Sequence, residues 1–260
     1  MVSHFGAIGL EVSSREEYED LLRRLYALGA SDDAGGGATR TVWTGSGGAR
    51  VEMEVNGEGA LTHVLPCLVP GGRPVPVRGI ALASDGTAHM ELLDAPGGES
   101  VCPLPVELTD RVELRGLRSP PVEGALRLSA LAEHLTVFPD EAAYEAAQAD
   151  REMKFASHYL VPAGLFRPDD AEAGWLPTAH ALFAGEVVAV RRTESDLTGE
   201  VFHRLRVRTL ADTEIDVAAA DVQLDHRRPA VGNWVDGSFF LTGTLGLGTA
   251  PVPDASTPAE

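Results

Sequence analysis

The sequence predicts an α+β protein with a high content of β-strand. Short segments in which apolar and polar residues alternate recur along most of the chain, and helix signals occur at only a few places. Turn residues separate these segments, since 28 of the 260 residues are glycine and 17 are proline. We therefore expect an N-terminal sheet with one amphipathic helix, a helical connector and a C-terminal small β-barrel, OB-like or SH3-like.

The chain divides into four parts on this interpretation. The N-terminal sheet module covers residues 1–118, the connector 119–181 and the barrel 182–248. Residues 249–260, which contain three prolines and no basic residue, are expected to form a disordered tail.

The first elements are a strand and a helix. Residues 4–12 are rich in apolar residues that alternate loosely, which predicts a strand. Ser13 and Ser14 each precede a glutamate by three residues, as in a capping box, and Gly29 is a suitable helix end. The residues expected on the buried face of the intervening helix are Tyr18, Leu21, Leu22, Leu25 and Leu28.

Strands dominate the rest of the N-terminal module. Residues 32–37 read as a loop, and residues 40–44 and 49–56 flank a glycine-rich turn that predicts a hairpin. The later strand predictions in this module and the connector are residues 62–69, 77–83, 87–93, 101–106, 111–116 and 126–138. Asp140 is expected to cap a helix that runs to about Phe155.

The barrel prediction rests on strands at residues 182–192, 201–210, 214–217 and 233–241. Its expected core consists of Val187, Val190, Leu205, Val207, Ile215, Trp234, Phe239 and Leu241.

Charge excludes some partners. The chain has 21 basic and 39 acidic residues, a net charge of −18 that is spread over every part. Such a field repels phosphate backbones and anionic lipid surfaces, so we expect neither nucleic-acid nor membrane binding. It suits a protein partner with a basic surface. Cys67 and Cys102 lie in no metal-binding or redox pattern and are expected to be free thiols in the cytoplasm.

One basic row stands out against this acidic background. Arg204, Arg206 and Arg208 alternate with apolar residues and should share one face of a strand. Few aromatic residues accompany them, and a single-strand nucleic-acid binder needs aromatic platforms for its bases. Glu186, Glu194 and Glu200 are expected to neutralise the row.

Motifs of the commonest enzymes are missing from the sequence, including a phosphate-binding glycine loop, a nucleophile elbow and a zinc-protease helix. The leading hypothesis is therefore a non-enzymatic cytoplasmic adaptor or inhibitor that meets its partner through carboxylates, with no cofactor. Whether the chain is an enzyme stays open at this point.

The alternative hypothesis is a metalloenzyme or metal-binding protein. A strand that begins with His4, an amphipathic helix and three further strands resemble one βαβββ half of the vicinal-oxygen-chelate fold of glyoxalases. The resemblance covers about 95 residues, and it implies divalent-metal ligands at the positions of His4 and Glu54. That family needs two such halves, but residues 126–182 supply only a strand and a helix, with Glu133 and His134.

A second pair of candidate ligands does not depend on the resemblance. His89 and Glu91 lie two residues apart on a predicted strand, so their side chains should share one face. Imidazole and carboxylate are ordinary ligands of divalent transition metals.

Overall fold

The computed structural model describes residues 4–83, 86–116, 122–150, 152–168, 174–224 and 227–246. Within these residues the protein is mostly β, with a nine-stranded sheet, a four-stranded sheet and four α-helices. The prediction of a protein with helices and a high content of β-strand is confirmed. The predicted tail at 249–260 lies outside the described residues. None of the described helices has the length and apolar character that a membrane crossing requires.

The elements follow one another in a fixed order along the chain. The helices are α1 (His4–Ala7), α2 (Arg15–Leu28), α3 (Arg111–Gly116) and α4 (Glu141–Ala147). The strands are β1 (Ala30–Gly35), β2 (Ala38–Thr44), β3 (Ala49–Val55), β4 (Leu61–Leu68), β5 (Val75–Leu82), β6 (Thr87–Leu93), β7 (Ser100–Leu108), β8 (Glu123–Phe138), β9 (Tyr159–Val161), β10 (His180–Glu194), β11 (Val201–Arg208), β12 (Glu214–Ala220) and β13 (Trp234–Thr244).

The small sheet is an antiparallel meander in the order β1-β2-β3-β4, and α2 packs on it. The predicted hairpin is confirmed, because β2 pairs with β3 across a turn in which Gly47 has φ +65 and Gly48 φ +80. Such angles favour glycine, which lacks a Cβ.

Helix α2 begins as predicted, since the Ser14 hydroxyl accepts a hydrogen bond from the Glu17 backbone N–H at 3.2 Å. Leu21 and Leu25 are buried against the small sheet. Leu28 was expected in the core but is 62% exposed. It is the last residue of the helix and lies beyond the turns that pack on the sheet.

The large sheet runs in the order β11-β12-β8-β5-β6-β7-β13-β10-β9. Two further pairings, β8 with β13 and β10 with β11, close it on itself. The result is two five-strand circuits, β8-β5-β6-β7-β13 and β8-β12-β11-β10-β13, that share the pair β8–β13. This shared pair runs antiparallel from Arg127 opposite Thr244 to Phe138 opposite Trp234.

The strands predicted for the barrel all belong to the second circuit, together with β8. The predicted boundary near residue 118 falls between β7 and β8, and the one near residue 181 falls within β10, so both divide one hydrogen-bonded sheet. The core residues expected there are buried, except that Val190 is only partly buried at the edge of the same core.

The strand predicted at residues 4–12 is wrong. This segment forms α1 and a tight turn, in which the Phe5 carbonyl accepts hydrogen bonds from the N–H groups of Ile8 and Leu10. Gly9, with φ +75, allows the turn. The apolar residues of this segment are buried because the turn packs into the core beneath α2. The βαβββ order expected for half of a chelate fold therefore lacks its first strand.

Three further predictions need correction. Residues 111–116 form α3, because Leu114 donates a backbone hydrogen bond to Asp110 and buries its side chain. Residues 32–35 lie in β1, a polar edge strand held by backbone pairing with β2. Helix α4 begins after its predicted cap Asp140 but ends at Ala147 and not near Phe155. The side-chain amide of Gln148 instead forms hydrogen bonds with the backbone N–H and carbonyl of Phe155.

Candidate metal site

Glu133 is placed by an irregularity in β8. Along the β8–β13 pair, Ala132 lies opposite Phe239 and His134 lies opposite Ser238, so Glu133 is the extra residue of a β-bulge. A bulge re-aims the side chains that follow it. Ala130 and Ala132 face the main core before the bulge, and Leu135 and Val137 face it afterwards. By alternation Glu133 lies on the side of β8 that faces away from Ala132 and the main core, where it is half-exposed, and the bulge keeps its neighbour His134 out of that core as well.

Two further strands and a helix bring histidines to this carboxylate. His180 begins β10 and lies opposite Phe240 of β13, which lies opposite Leu131 of β8. His4 comes from α1. The ring of Phe240 stacks on His4 at 4.5 Å between centroids and meets His180 edge-on at 5.4 Å, so one aromatic ring packs against both imidazoles.

The three side chains converge on one oxygen atom. Glu133 Oε1 lies 3.2 Å from His4 Nε2 and 3.1 Å from His180 Nε2. All three ligand atoms lie within 4.8 Å of one another. Ligands about 2.0–2.2 Å from a divalent ion are about 2.8–3.6 Å apart in octahedral or tetrahedral geometry. The two nitrogen–oxygen separations lie within this range, and in the metal-free protein they are hydrogen-bond distances.

A hydrogen bond behind His180 fixes its orientation. His180 Nδ1 lies 2.8 Å from the Thr178 hydroxyl. In the metal-free tautomer that donates from Nε2 to Glu133, Nδ1 accepts a hydrogen bond from this hydroxyl. With a metal on Nε2 the proton is on Nδ1, and the hydroxyl accepts a hydrogen bond from it. Metal-bound histidines usually have such a partner on the second ring nitrogen. Thr178 is thus a candidate positioning residue for the site.

Hydrogen bonds from His180 and His4 lower the pKa of Glu133 to about 2 and outweigh the opposing effect of burial. The carboxyl group is therefore ionised at neutral pH, as a metal ligand must be.

The predicted ligands lie at three places in the structure. His4 belongs to the cluster just described, although on a helix and not on a strand. Glu54, on β3, is buried and forms ion pairs with two residues of α3. Arg111 Nη2 lies 2.5 Å from its Oε1, and Arg115 Nη2 lies 2.7 Å from its Oε2. Two guanidinium groups already occupy the oxygens that a metal would need.

The surroundings of Glu54 form a polar pocket of 180 Å³. Burial alone would raise the pKa of Glu54, but Arg115 and Arg111 hold it below its ordinary value. Burial, together with Arg111, lowers the pKa of His63 to about 4. His63 Nδ1 lies 2.8 Å from Arg111 Nη1 and accepts a hydrogen bond from it, since a guanidinium can only donate.

His89 and Glu91 lie together on β6, as predicted, but apart from both clusters. Glu91 accepts a hydrogen bond from Arg78 Nε at 2.8 Å. In the described part of the chain, His4, Glu133 and His180 are the group of histidine, cysteine and acidic residues that meets the spacing of a metal site. Cys67 and Cys102 are free, and burial raises the pKa of both thiols.

Sequence reasoning noted Glu133 without assigning it a role and missed His180. The two residues are separated by 47 positions, and Glu133 lies 129 positions from His4. The bulge changes the core-facing positions of β8 from Ala130 and Ala132 to Leu135 and Val137, but this shift within one strand does not reveal which distant histidines meet Glu133. His180 lies two residues before the predicted strand 182–192, and that position was the one available signal for it.

Comparison of the chain with protein-family models, with curated proteins and with solved structures gave no significant match.

Proposed function

We propose that this protein binds a divalent transition-metal ion through His4, Glu133 and His180. The observation that carries the proposal is the convergence of both Nε2 atoms on Glu133 Oε1 at 3.1 and 3.2 Å. Two imidazoles and one carboxylate form a donor set that suits zinc and its neighbours in the first transition row.

Three protein ligands and partial exposure favour a working site over a structural one. Structural zinc sites use four protein ligands, whereas catalytic sites keep a position for water or substrate. The side chains of His4, Glu133 and His180 are 28%, 31% and 37% exposed, so a small molecule can reach the ion. The bound ion would polarise water or a small substrate at this open position.

The competing hypothesis of an acidic adaptor stays a prediction, because the single chain contains nothing that tests for a partner. The two hypotheses make opposite predictions for metal content. A protein that acts only through its negative charge is not expected to bind one metal ion at a defined site.

Titration of the metal-free protein with zinc, and with cobalt as a spectroscopic probe, tests the proposal. We expect one strong site by calorimetry and cobalt absorption typical of nitrogen and oxygen ligands. Glu133→Gln and His180→Asn should each weaken binding about 100-fold or more, since loss of even an outer partner costs about 10–100-fold.

His134→Asn is the matched control, because His134 is the exposed neighbour of Glu133 in β8 and lies outside the cluster. It should bind zinc as the wild type does. Circular dichroism must first show that each variant is folded. Wild-type affinity in both Glu133→Gln and His180→Asn, or the absence of a strong site in the wild type, would refute the proposal.

A further inference from the structure

The basic row predicted on β11 is built into a pocket at the other end of β10 from His180. Arg204 and Arg206 lie on one face of β11, and Arg191 of β10 lies directly opposite Arg204. These three guanidinium groups line a pocket of 190 Å³, together with Ala189, Val190 and Asp216. The pocket does not involve any residue of the proposed metal site.

Asp216 holds two of the arginines in place. It is 1% exposed, and its carboxylate accepts hydrogen bonds from Arg204 Nη2 at 2.8 Å, from Arg206 Nε at 3.1 Å and from the Gly71 N–H at 2.5 Å. Arg204 also donates to the carbonyl oxygens of Gly47 and Val69. The two guanidinium groups are therefore fixed before any ligand arrives, which lowers the entropy cost of binding.

Donor capacity remains after these contacts. Within the described residues, no hydrogen bond uses Arg204 Nε, Arg206 Nη1 or any nitrogen of the exposed Arg191. Each guanidinium has five N–H donors and no acceptor atom. The N–H groups left without a partner can therefore bind only a ligand that accepts hydrogen bonds.

The local charge is positive in a protein of net charge −18. Arg191, Arg204 and Arg206 face the single carboxylate of Asp216 in the pocket. Glu214, two residues from Asp216 on β12, lies 3.1 Å from Arg73 and 4.0 Å from Arg206. Of the glutamates expected to neutralise the row, Glu186 pairs at 3.4 Å with Arg208, which does not line the pocket. Arg73, Arg191, Arg204 and Arg206 against Asp216 and Glu214 are four positive charges against two negative ones, which leaves an excess of two.

We infer that this pocket binds a doubly charged oxyanion, a phosphoryl group or a dicarboxylate, through Arg191, Arg204 and Arg206. Guanidinium groups bind such anions with paired, charge-assisted hydrogen bonds. The inference is independent of the proposed metal site.

Thermal unfolding and calorimetry of the full chain in a chelator-containing buffer test the inference, with inorganic phosphate and malonate as separate probes. Sodium chloride at matched ionic strength is the reference. We expect one of the two probes to bind and to raise the unfolding temperature above the chloride reference. The probe that binds more tightly identifies the chemical group.

Arg191→Gln should weaken binding of that probe at least 5-fold, whereas Arg192→Gln should change it less than 2-fold. Arg192 is the matched control because it is also exposed and follows Arg191 directly, but it lies opposite His203 on the other face of the pair. Equal losses in both variants would show a general charge effect and overturn the inference. So would an effect no larger than that of chloride for both probes.

Discussion

Glu133 and Glu54 are two carboxylates that each lie between two nitrogen-bearing side chains, but their chemistry differs. Glu133 accepts from the imidazoles of His4 and His180, which can be neutral and offer a lone pair to a metal ion. Glu54 accepts from the guanidinium groups of Arg111 and Arg115, which stay charged and have no lone pair to offer. The first arrangement can exchange protons for a cation, and the second is already neutralised.

Burial strengthens the contrast. The Glu133 side chain is 31% exposed, whereas those of Glu54 and Arg111 are both 7% exposed. A buried ion pair has little access to competing ions, and removing one partner leaves the other charge without compensation. The comparison teaches that the neighbours of a carboxylate decide whether it serves as a ligand or as a structural anion.

The largest expected effect is on stability. Glu54→Gln should lower the free energy of unfolding by about 3–5 kcal/mol, because Arg111 keeps a buried positive charge that has lost its partner. Urea denaturation at neutral pH measures this loss. The control is Glu19→Gln, whose exposed pair with Arg15 should contribute little to stability because water screens it. A Glu54→Gln protein as stable as the control would break the comparison.

Glu52 lies on β3 with Glu54 and extends the comparison to a third carboxylate, whose effect on stability depends on pH. Arg50 Nη2 lies 2.8 Å from Glu52 Oε1, but this oxygen forms no hydrogen bond of acceptable geometry within the described residues. Burial raises the pKa of Glu52 to about 7 despite the opposing charge of Arg50. Glu52 therefore has a nearby positive charge, as Glu54 does, without the hydrogen bonds that hold Glu54 ionised.

The sign of the effect follows from the proton affinity of each state. The folded protein holds the Glu52 proton more tightly than the unfolded chain does, so this group favours folding at low pH. Its contribution is lost as the pH rises from about 4.5 to 7. Between pH 5 and pH 8, the wild type should lose about 2–3 kcal/mol of stability relative to Glu52→Gln.

Urea denaturation of both proteins at several pH values measures this difference. Glu58→Gln, which replaces an exposed glutamate in the turn after β3, should instead follow the wild-type curve. Parallel curves for the wild type and Glu52→Gln would mean that Glu52 is ionised throughout and resembles Glu54.

The contrast between the two sites explains what the sequence can and cannot predict. Alternation in β2, β3 and β8 reports burial of one face, so these strands and their hairpin were predictable. Alternation along β3 also places Glu52 and Glu54 on the face opposite Val51 and Met53. Alternation could not show that the face with Glu52 and Glu54 is buried as well. That face is covered by α3, whose residues 111–116 were predicted to form a strand.

The candidate site was less accessible to sequence reasoning than the fold. His4 was selected as the start of a strand, whereas it reaches Glu133 from a helical turn. The meeting of His4, Glu133 and His180 depends on the sheet order β8-β13-β10 and on one bulge. The strand order is not encoded in local periodicity, since it arises from contacts between distant segments, and the shift of alternation at the bulge does not identify the partners of Glu133.

The smallest expected effect tests the hydrogen bond behind the proposed metal ligand. Thr178→Val removes the hydroxyl 2.8 Å from His180 Nδ1 and keeps a side chain of similar shape. Zinc affinity should fall about 10-fold, the lower end of the range for such partners, because the ring loses its preferred tautomer and orientation. Thr136→Val, at a half-buried threonine of β8 outside the cluster, is the matched control and should leave zinc affinity unchanged. An unchanged affinity in Thr178→Val would show that Phe240 alone orients the imidazole. An equal loss of zinc affinity in both variants would mean that the site responds to general loosening of the sheet. The contrast between the imidazole site at Glu133 and the guanidinium site at Glu54 could then not be explained by the hydrogen bond from Thr178.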